Sequence, residues 1–117
     1  MTDRTDPSVL VDELLRPGES VRYVIPVMAE IMGVFTMSPF ETTIVVTDER
    51  IAVVTGGALR RNASARIDRE FPRQTRLGPV DESLGPVITL GSVQYEIDDD
   101  AVPLVAAADA ELDGATL

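Results

Sequence analysis

Thr42-Thr43-Ile44-Val45-Val46-Thr47-Asp48-Glu49-Arg50-Ile51-Ala52-Val53-Val54-Thr55 decides how this chain folds. Two runs rich in β-branched residues, Thr42 to Thr47 and Arg50 to Thr55, are separated only by Asp48-Glu49. Branching at Cβ suits an extended, pleated backbone, and a two-residue separation is the distance of a tight hairpin. Thr47 and Asp48 carry side-chain oxygens that can bond nearby backbone and shape the turn.

Outward from this hairpin the two-residue period continues. Upstream, Val21, Tyr23, Ile25 and Val27 fall on one face of a strand and Arg22 and Val24 on the other, with Pro26 favouring an edge strand or a bulge. Downstream, Gly56-Gly57 ends the second strand. Ala65, Ile67 and Phe71 then alternate with Arg66, Asp68 and Glu70, and a further strand is expected around Gln74 to Val80. Val87 to Leu90 and Val93 to Ile97 form a second hairpin about Gly91-Ser92.

Helical spacing is confined to the two ends. Asp6-Pro7 suits a helix start, and Val9, Leu10 and Leu14 follow before Pro17-Gly18, predicting a short helix over 7–15. Ala101, Leu104, Val105, Ala108 and Leu112 follow the i, i+3, i+4, i+7 rule and predict a helix over 100–113, with Pro103 in its first turn. The expected fold is mostly β: about seven antiparallel strands across 20–97 in a barrel or sandwich, capped by one C-terminal α-helix, with a short N-terminal helix, all in one domain spanning 1–117.

Composition removes whole classes of chemistry. The 117 residues include no Cys and no His, and all ten basic residues are Arg. Thiol and imidazole nucleophile systems, thiolate metal sites and lysine Schiff bases therefore lack their reacting groups. A net charge of −10 repels phosphate backbones, so nucleic acid is not an expected partner. The start, Met1-Thr2-Asp3-Arg4-Thr5-Asp6-Pro7, does not resemble a secretory signal. The apolar region from Tyr23 to Phe40 is broken by Pro26, Glu30, Gly33 and Pro39 and is no membrane span. A cytoplasmic location is the expectation.

Three stretches carry a resemblance to a known family. Leu14-Leu15-Arg16-Pro17-Gly18-Glu19, Ile44-Val45-Val46-Thr47-Asp48-Glu49-Arg50-Ile51 and Ile88-Thr89-Leu90-Gly91-Ser92-Val93-Gln94-Tyr95-Glu96-Ile97 resemble the opening, a central hairpin and the last hairpin of bacterial pleckstrin-homology-like, or GRAM-like, domains. The resemblance implies two packed antiparallel sheets closed at one end by the C-terminal helix. It supports a fold and not an activity, and, because some bacterial members form rings, it admits a homo-oligomer. The family's inositol-lipid binders have basic residues in the loop joining the first two strands. Here that loop, Met32 to Pro39, has none.

Two surfaces are candidates for contact. Arg60, Arg61, Arg66, Arg69, Arg73 and Arg76 form the one stretch where positive charge dominates, and guanidinium forks suit phosphate, carboxylate or an anionic membrane. The competing reading is a solvated set of charges balancing the acidic C-terminal third. Met32, Val34, Phe35, Met37 and Phe40 form an apolar stretch that either contacts a partner or belongs to the core. Asp98-Asp99-Asp100 precede a helix and read as helix capping rather than a metal site. Asp81 with Glu82, or Glu41 with Asp48, are the conceivable acid–base pairs, but nothing orients them. No cofactor and no metal is expected. The expected function is a non-enzymatic module that binds a protein or peptide, through a free sheet edge. A self-assembling structural protein and a peripheral membrane or anion-binding domain using the arginine cluster are the alternatives.

Overall fold

A computed structural model of the chain describes residues 14–31, 34–35, 41–56, 66–83 and 85–114. Strands β1 (Val21–Ile31), β2 (Val34–Phe35), β3 (Glu41–Thr47), β4 (Arg50–Gly56), β5 (Arg66–Pro72), β6 (Val87–Leu90) and β7 (Val93–Ile97) are followed by a 3-10 turn (Asp99–Ala101) and helix α1 (Val102–Gly114). Six strands form one curled, half-barrel antiparallel sheet in the order β5-β4-β3-β1-β7-β6; β2 is a two-residue strand paired with the end of β1.

The β3–β4 hairpin forms as its sequence predicts, in register from Glu41 opposite Gly56 to Val46 opposite Ile51. Its turn is held by Thr47, whose Oγ1 accepts from the amides of Glu49 and Arg50, both at 3.0 Å. Asp48 acts differently from the expectation. Its carboxylate reaches out of the turn to accept from the amide of Ser20 at 2.9 Å, so it ties the hairpin to the start of β1.

Ile25, Ile44, Val46, Ile51 and Val53 point to the concave face and meet Ile88, Leu90, Tyr95 and Ile97 from β6 and β7. Ala101, Val105 and Ala108 of the C-terminal helical segment close this core. The opposite face is apolar as well, with Val45, Ala52 and Val54 buried. Burial on both faces explains why β3 and β4 read as unbroken apolar runs instead of an alternation.

Two bulges correct the alternation read from the sequence. In β1, Val21 pairs with Thr47 and Tyr23 with Val46, so Arg22 is surplus. In β5, Arg69 pairs with Val53 and Ile67 with Val54, so Asp68 is surplus. A surplus residue reverses the side on which everything beyond it projects. Val21 therefore leaves the face of Tyr23 and Ile25, and Ile67 leaves the face of Phe71; both join the second cluster.

Pro26 sits inside β1, opposite Thr43, and does not end the strand. Pairing of β1 with β7 starts only at Val27 opposite Ile97, so at Pro26 only β3 flanks the strand. That is an edge position, where a missing amide hydrogen is tolerated. The strand expected around Gln74 to Val80 does not form. This segment instead lies under α1, its amides at Leu77 and Gly78 donating to the Asp109 carboxylate at 2.8 and 2.9 Å, while the Leu77 side chain is fully buried. The expected N-terminal helix over 7–15 falls almost wholly outside the described residues.

Candidate functional site

The described members of the expected arginine cluster do not converge on one point. Arg60 and Arg61 lie outside the described residues. Arg66 is exposed at the start of β5. Arg69 turns toward the β6–β7 turn, its guanidinium 5.1 Å from the Phe71 ring centre and 3.5 Å from the Leu90 carbonyl oxygen. Arg73 donates to the Ala108 carbonyl at 3.1 Å and to Glu111 at 3.2 Å, and Arg76 pairs with Asp113. Arg73 and Arg76 thus tie the acidic side of α1 to the segment that follows β5.

Glu111 is the centre of that contact. One carboxylate oxygen accepts from Tyr23 Oη at 2.6 Å and Arg22 at 3.0 Å, and the other from Arg73. These donors, Tyr23 first and Arg22 next, hold its pKa below the usual carboxylate value, and the bond to Glu111 raises that of Tyr23. An anion seeking Arg73 must displace a carboxylate that the chain itself provides.

Of the expected apolar loop, Met32, Met37 and Phe40 lie outside the described residues. Val34 and Phe35 form β2, opposite Ile31 and Glu30. Asp98 stands at the N-cap of the 3-10 turn but makes no side-chain capping bond there; Ala101 donates to its backbone carbonyl instead. Capping by the Asp98 side chain is therefore not what orders this turn. Asp99 and Asp100 lie in its first turn, where negative charge is favourable. No group of acidic residues able to hold a metal occurs among the described residues. The conceivable acid–base pairs are drawn into local structure: Asp81 accepts from the amide and hydroxyl of Ser83, and Asp48 from Ser20.

A polar lock that the sequence reading missed joins the two stretches Leu14–Glu19 and Ile44–Ile51. Arg50 donates through Nε to Glu19 Oε2 at 2.8 Å and through Nη2 to Glu19 Oε1 at 2.9 Å, a bidentate pair. The Glu19 side chain is 0% exposed and that of Arg50 8%. Glu19 also accepts from the Arg16 amide at 2.9 Å and Thr47 Oγ1 at 2.7 Å. Arg50 reaches Glu70 at 2.9 Å and the Leu14 carbonyl at 3.0 Å. Burial alone would raise the Glu19 pKa, but the bonds from Arg50, Arg16 and Thr47 outweigh it and lower it to about 2. Both residues stand in the quoted sequence stretches. Their pairing was invisible because 31 positions separate them.

The two outer strands of the sheet differ. The outer side of β6 is met at Val87 by Asp81, which exchanges both backbone bonds with it at 2.8 and 2.9 Å. The outer side of β5 pairs with no strand among the described residues. Along it Arg66, Asp68, Glu70 and Pro72 are exposed.

Comparison with protein-family models, with curated proteins and with solved structures returned no match. No helix among the described residues is long and apolar enough to cross a membrane.

Proposed function

We propose that this chain is a pleckstrin-homology-like, non-enzymatic interaction module that holds an extended segment of a protein or peptide partner along the outer edge of β5. The observation that carries the reading is the contrast between the two outer strands: β6 is met on its outer side at Val87 by Asp81, whereas β5 pairs there with no strand among the described residues. An added strand would gain main-chain hydrogen bonds along this edge. Selectivity would come from the side chains that alternate along β5. The surplus Asp68 and the exposed charges of Arg66 and Glu70 discourage indiscriminate edge pairing, so a partner has to match them. The absence of imidazole, thiol and ammonium groups supports binding over catalysis.

The reading is tested by placing a photo-crosslinking residue at Asp68 in the full chain, expressed in its native cells, with the same residue at Thr89 of β6 as control. A partner adduct from position 68 and none from 89 is expected. Adducts from Thr89 alone, or no adduct from position 68 in a folded chain, overturn it.

A further inference from the structure

Among the described arginines, Arg16, Arg22, Arg50, Arg73 and Arg76 each pair with a carboxylate of the chain. Arg66 and Arg69, both on β5, pair with none among the described residues, although the sequence holds 20 acidic residues against 10 basic ones. Burial of a charge is costly unless the charge is met. Arg69 is half-buried all the same. Its guanidinium lies 5.1 Å from the Phe71 ring centre and beside Gly91, where an added Cβ would come within 2.8 Å of Nη2. The Leu90 carbonyl oxygen, 3.5 Å from Nη1, is the one acceptor it reaches among the described residues. A guanidinium carries several N–H donors, so most of this fork faces no acceptor that the described residues supply.

The bulge at Asp68 brings the two arginines together. Arg66 stands opposite Thr55 and Arg69 opposite Val53, with Asp68 surplus between them. Residues three apart on an unbroken strand point to opposite faces. The surplus residue puts Arg66 and Arg69 on the same face, at successive positions about 6.8 Å apart. Phe71, opposite Ile51, follows on that face. Glu70 lies on the other face, opposite Ala52, and is engaged by Arg16 and Arg50.

We propose that the extended segment received by β5 is acidic, with carboxylates on alternate residues that fall on Arg66 and Arg69, an assignment that rests on β5 being the receiving edge and names the chemistry of its partner. Side chains on one face of an extended chain recur at the same spacing as the two guanidiniums. Cross-strand pairs of opposite charge are stabilising and like charges are not, so a segment with basic residues at these positions is rejected. Arg69, stacked on Phe71 and packed beside Gly91, is positioned before the partner arrives, which lowers the ordering cost of the contact. A chain of net charge −10 repels a polyanionic surface such as a nucleic acid or an anionic membrane, whereas a short segment with two carboxylates meets chiefly the local field of β5.

The test titrates the isotope-labelled full chain at low salt with the peptide acetyl-Thr-Val-Glu-Val-Glu-Val-Thr-amide and with its counterpart carrying Gln for Glu, following β5 amides and arginine Nε–H signals by NMR. The Glu peptide should move the β5 amides and both arginine signals, and bind about fivefold more tightly than the Gln peptide. The double variant Arg66→Gln/Arg69→Gln should erase that difference with little change in Tm, and Asp68→Asn should tighten binding of the Glu peptide. If the double variant does not fold, Arg66→Gln alone, at an exposed site, decides: it should lose part of the difference, and a variant that keeps all of it overturns the proposal. Equal binding of the two peptides along β5 overturns the acidic assignment and leaves β5 as a receiving edge. Failure of both peptides to move β5 overturns both. Arginine signals that move without the β5 amides, or that move as far with inorganic phosphate at equal concentration, reveal a plain anion site and overturn the assignment to an acidic strand.

Discussion

Replacing Arg50 by Met tests the physics of the lock between the β3–β4 hairpin and the segment before β1. The substitution keeps an unbranched side chain of fair volume but removes the guanidinium. Glu19 then keeps only the Arg16 amide and the Thr47 hydroxyl as donors, in a site where its side chain is fully buried, and Glu70 and the Leu14 carbonyl each lose a bond. Removing one partner of a buried ion pair costs about 3–5 kcal/mol, because the other charge is left without compensation. With a typical unfolding entropy of about 2.1 cal/mol/K per residue, a chain of 117 residues loses about 4 °C in Tm for each kcal/mol. The expected fall is therefore about 12–20 °C, read by circular dichroism at neutral pH. The double variant Glu19→Met/Arg50→Met removes both charges and should recover much of the loss. A single variant within 1 kcal/mol of the unaltered chain, or a double variant no more stable than the single, refutes the reasoning.

Further outcomes follow from the same contacts. The folded-state pKa of Glu19, about 2, lies below its ordinary 4.5, so its contribution to stability is complete above pH 4.5. That contribution is lost as pH falls toward 2; urea unfolding across this range should show less acid sensitivity in Glu19→Gln than in the unaltered chain. Glu111→Gln removes the carboxylate that raises the Tyr23 pKa, so Tyr23 should titrate at lower pH, followed by NMR of labelled tyrosine rings. Asp109→Ala leaves the Leu77 and Gly78 amides without their acceptor and should cost about 1–3 kcal/mol in denaturant unfolding. Gly91→Ala should cost about 1–2 kcal/mol, since Gly91 has φ +62° and an added Cβ would lie 2.8 Å from the Arg69 guanidinium.

The hairpins at Asp48-Glu49 and Gly91-Ser92 and the C-terminal helix were legible because each is set by local chemistry: β-branching, turn residues and a 3.6-residue stripe. The register events were not. Whether Arg22 or Asp68 is surplus depends on which partner residues face them across the sheet, and no window along one strand contains that information. The stretch from Gln74 to Val80 has an extended character that suggests a strand, yet its amides at Leu77 and Gly78 are satisfied by Asp109, some thirty positions later. The arginines were visible as a run of charge, but their destinations, Glu111 and Asp113 on a helix that the same sequence also predicted, required the fold to bring helix and sheet together. The Glu19–Arg50 pair belongs to the same class: each half lies in a stretch that reads as a turn, and only the closed structure makes them one unit.

Arg22 and Asp68 also set an inequality between kinds of change this chain can tolerate. Each supplies an additional backbone unit, and the second face acquires Val21 and Ile67 through that unit and not through either charged side chain. Exchanging Arg22 or Asp68 for another polar residue would leave the count intact, whereas excising either would turn one aliphatic residue from one side of the sheet to the other and strip the reverse side of a member. Length, at these two places, governs what is inside more strictly than residue type does.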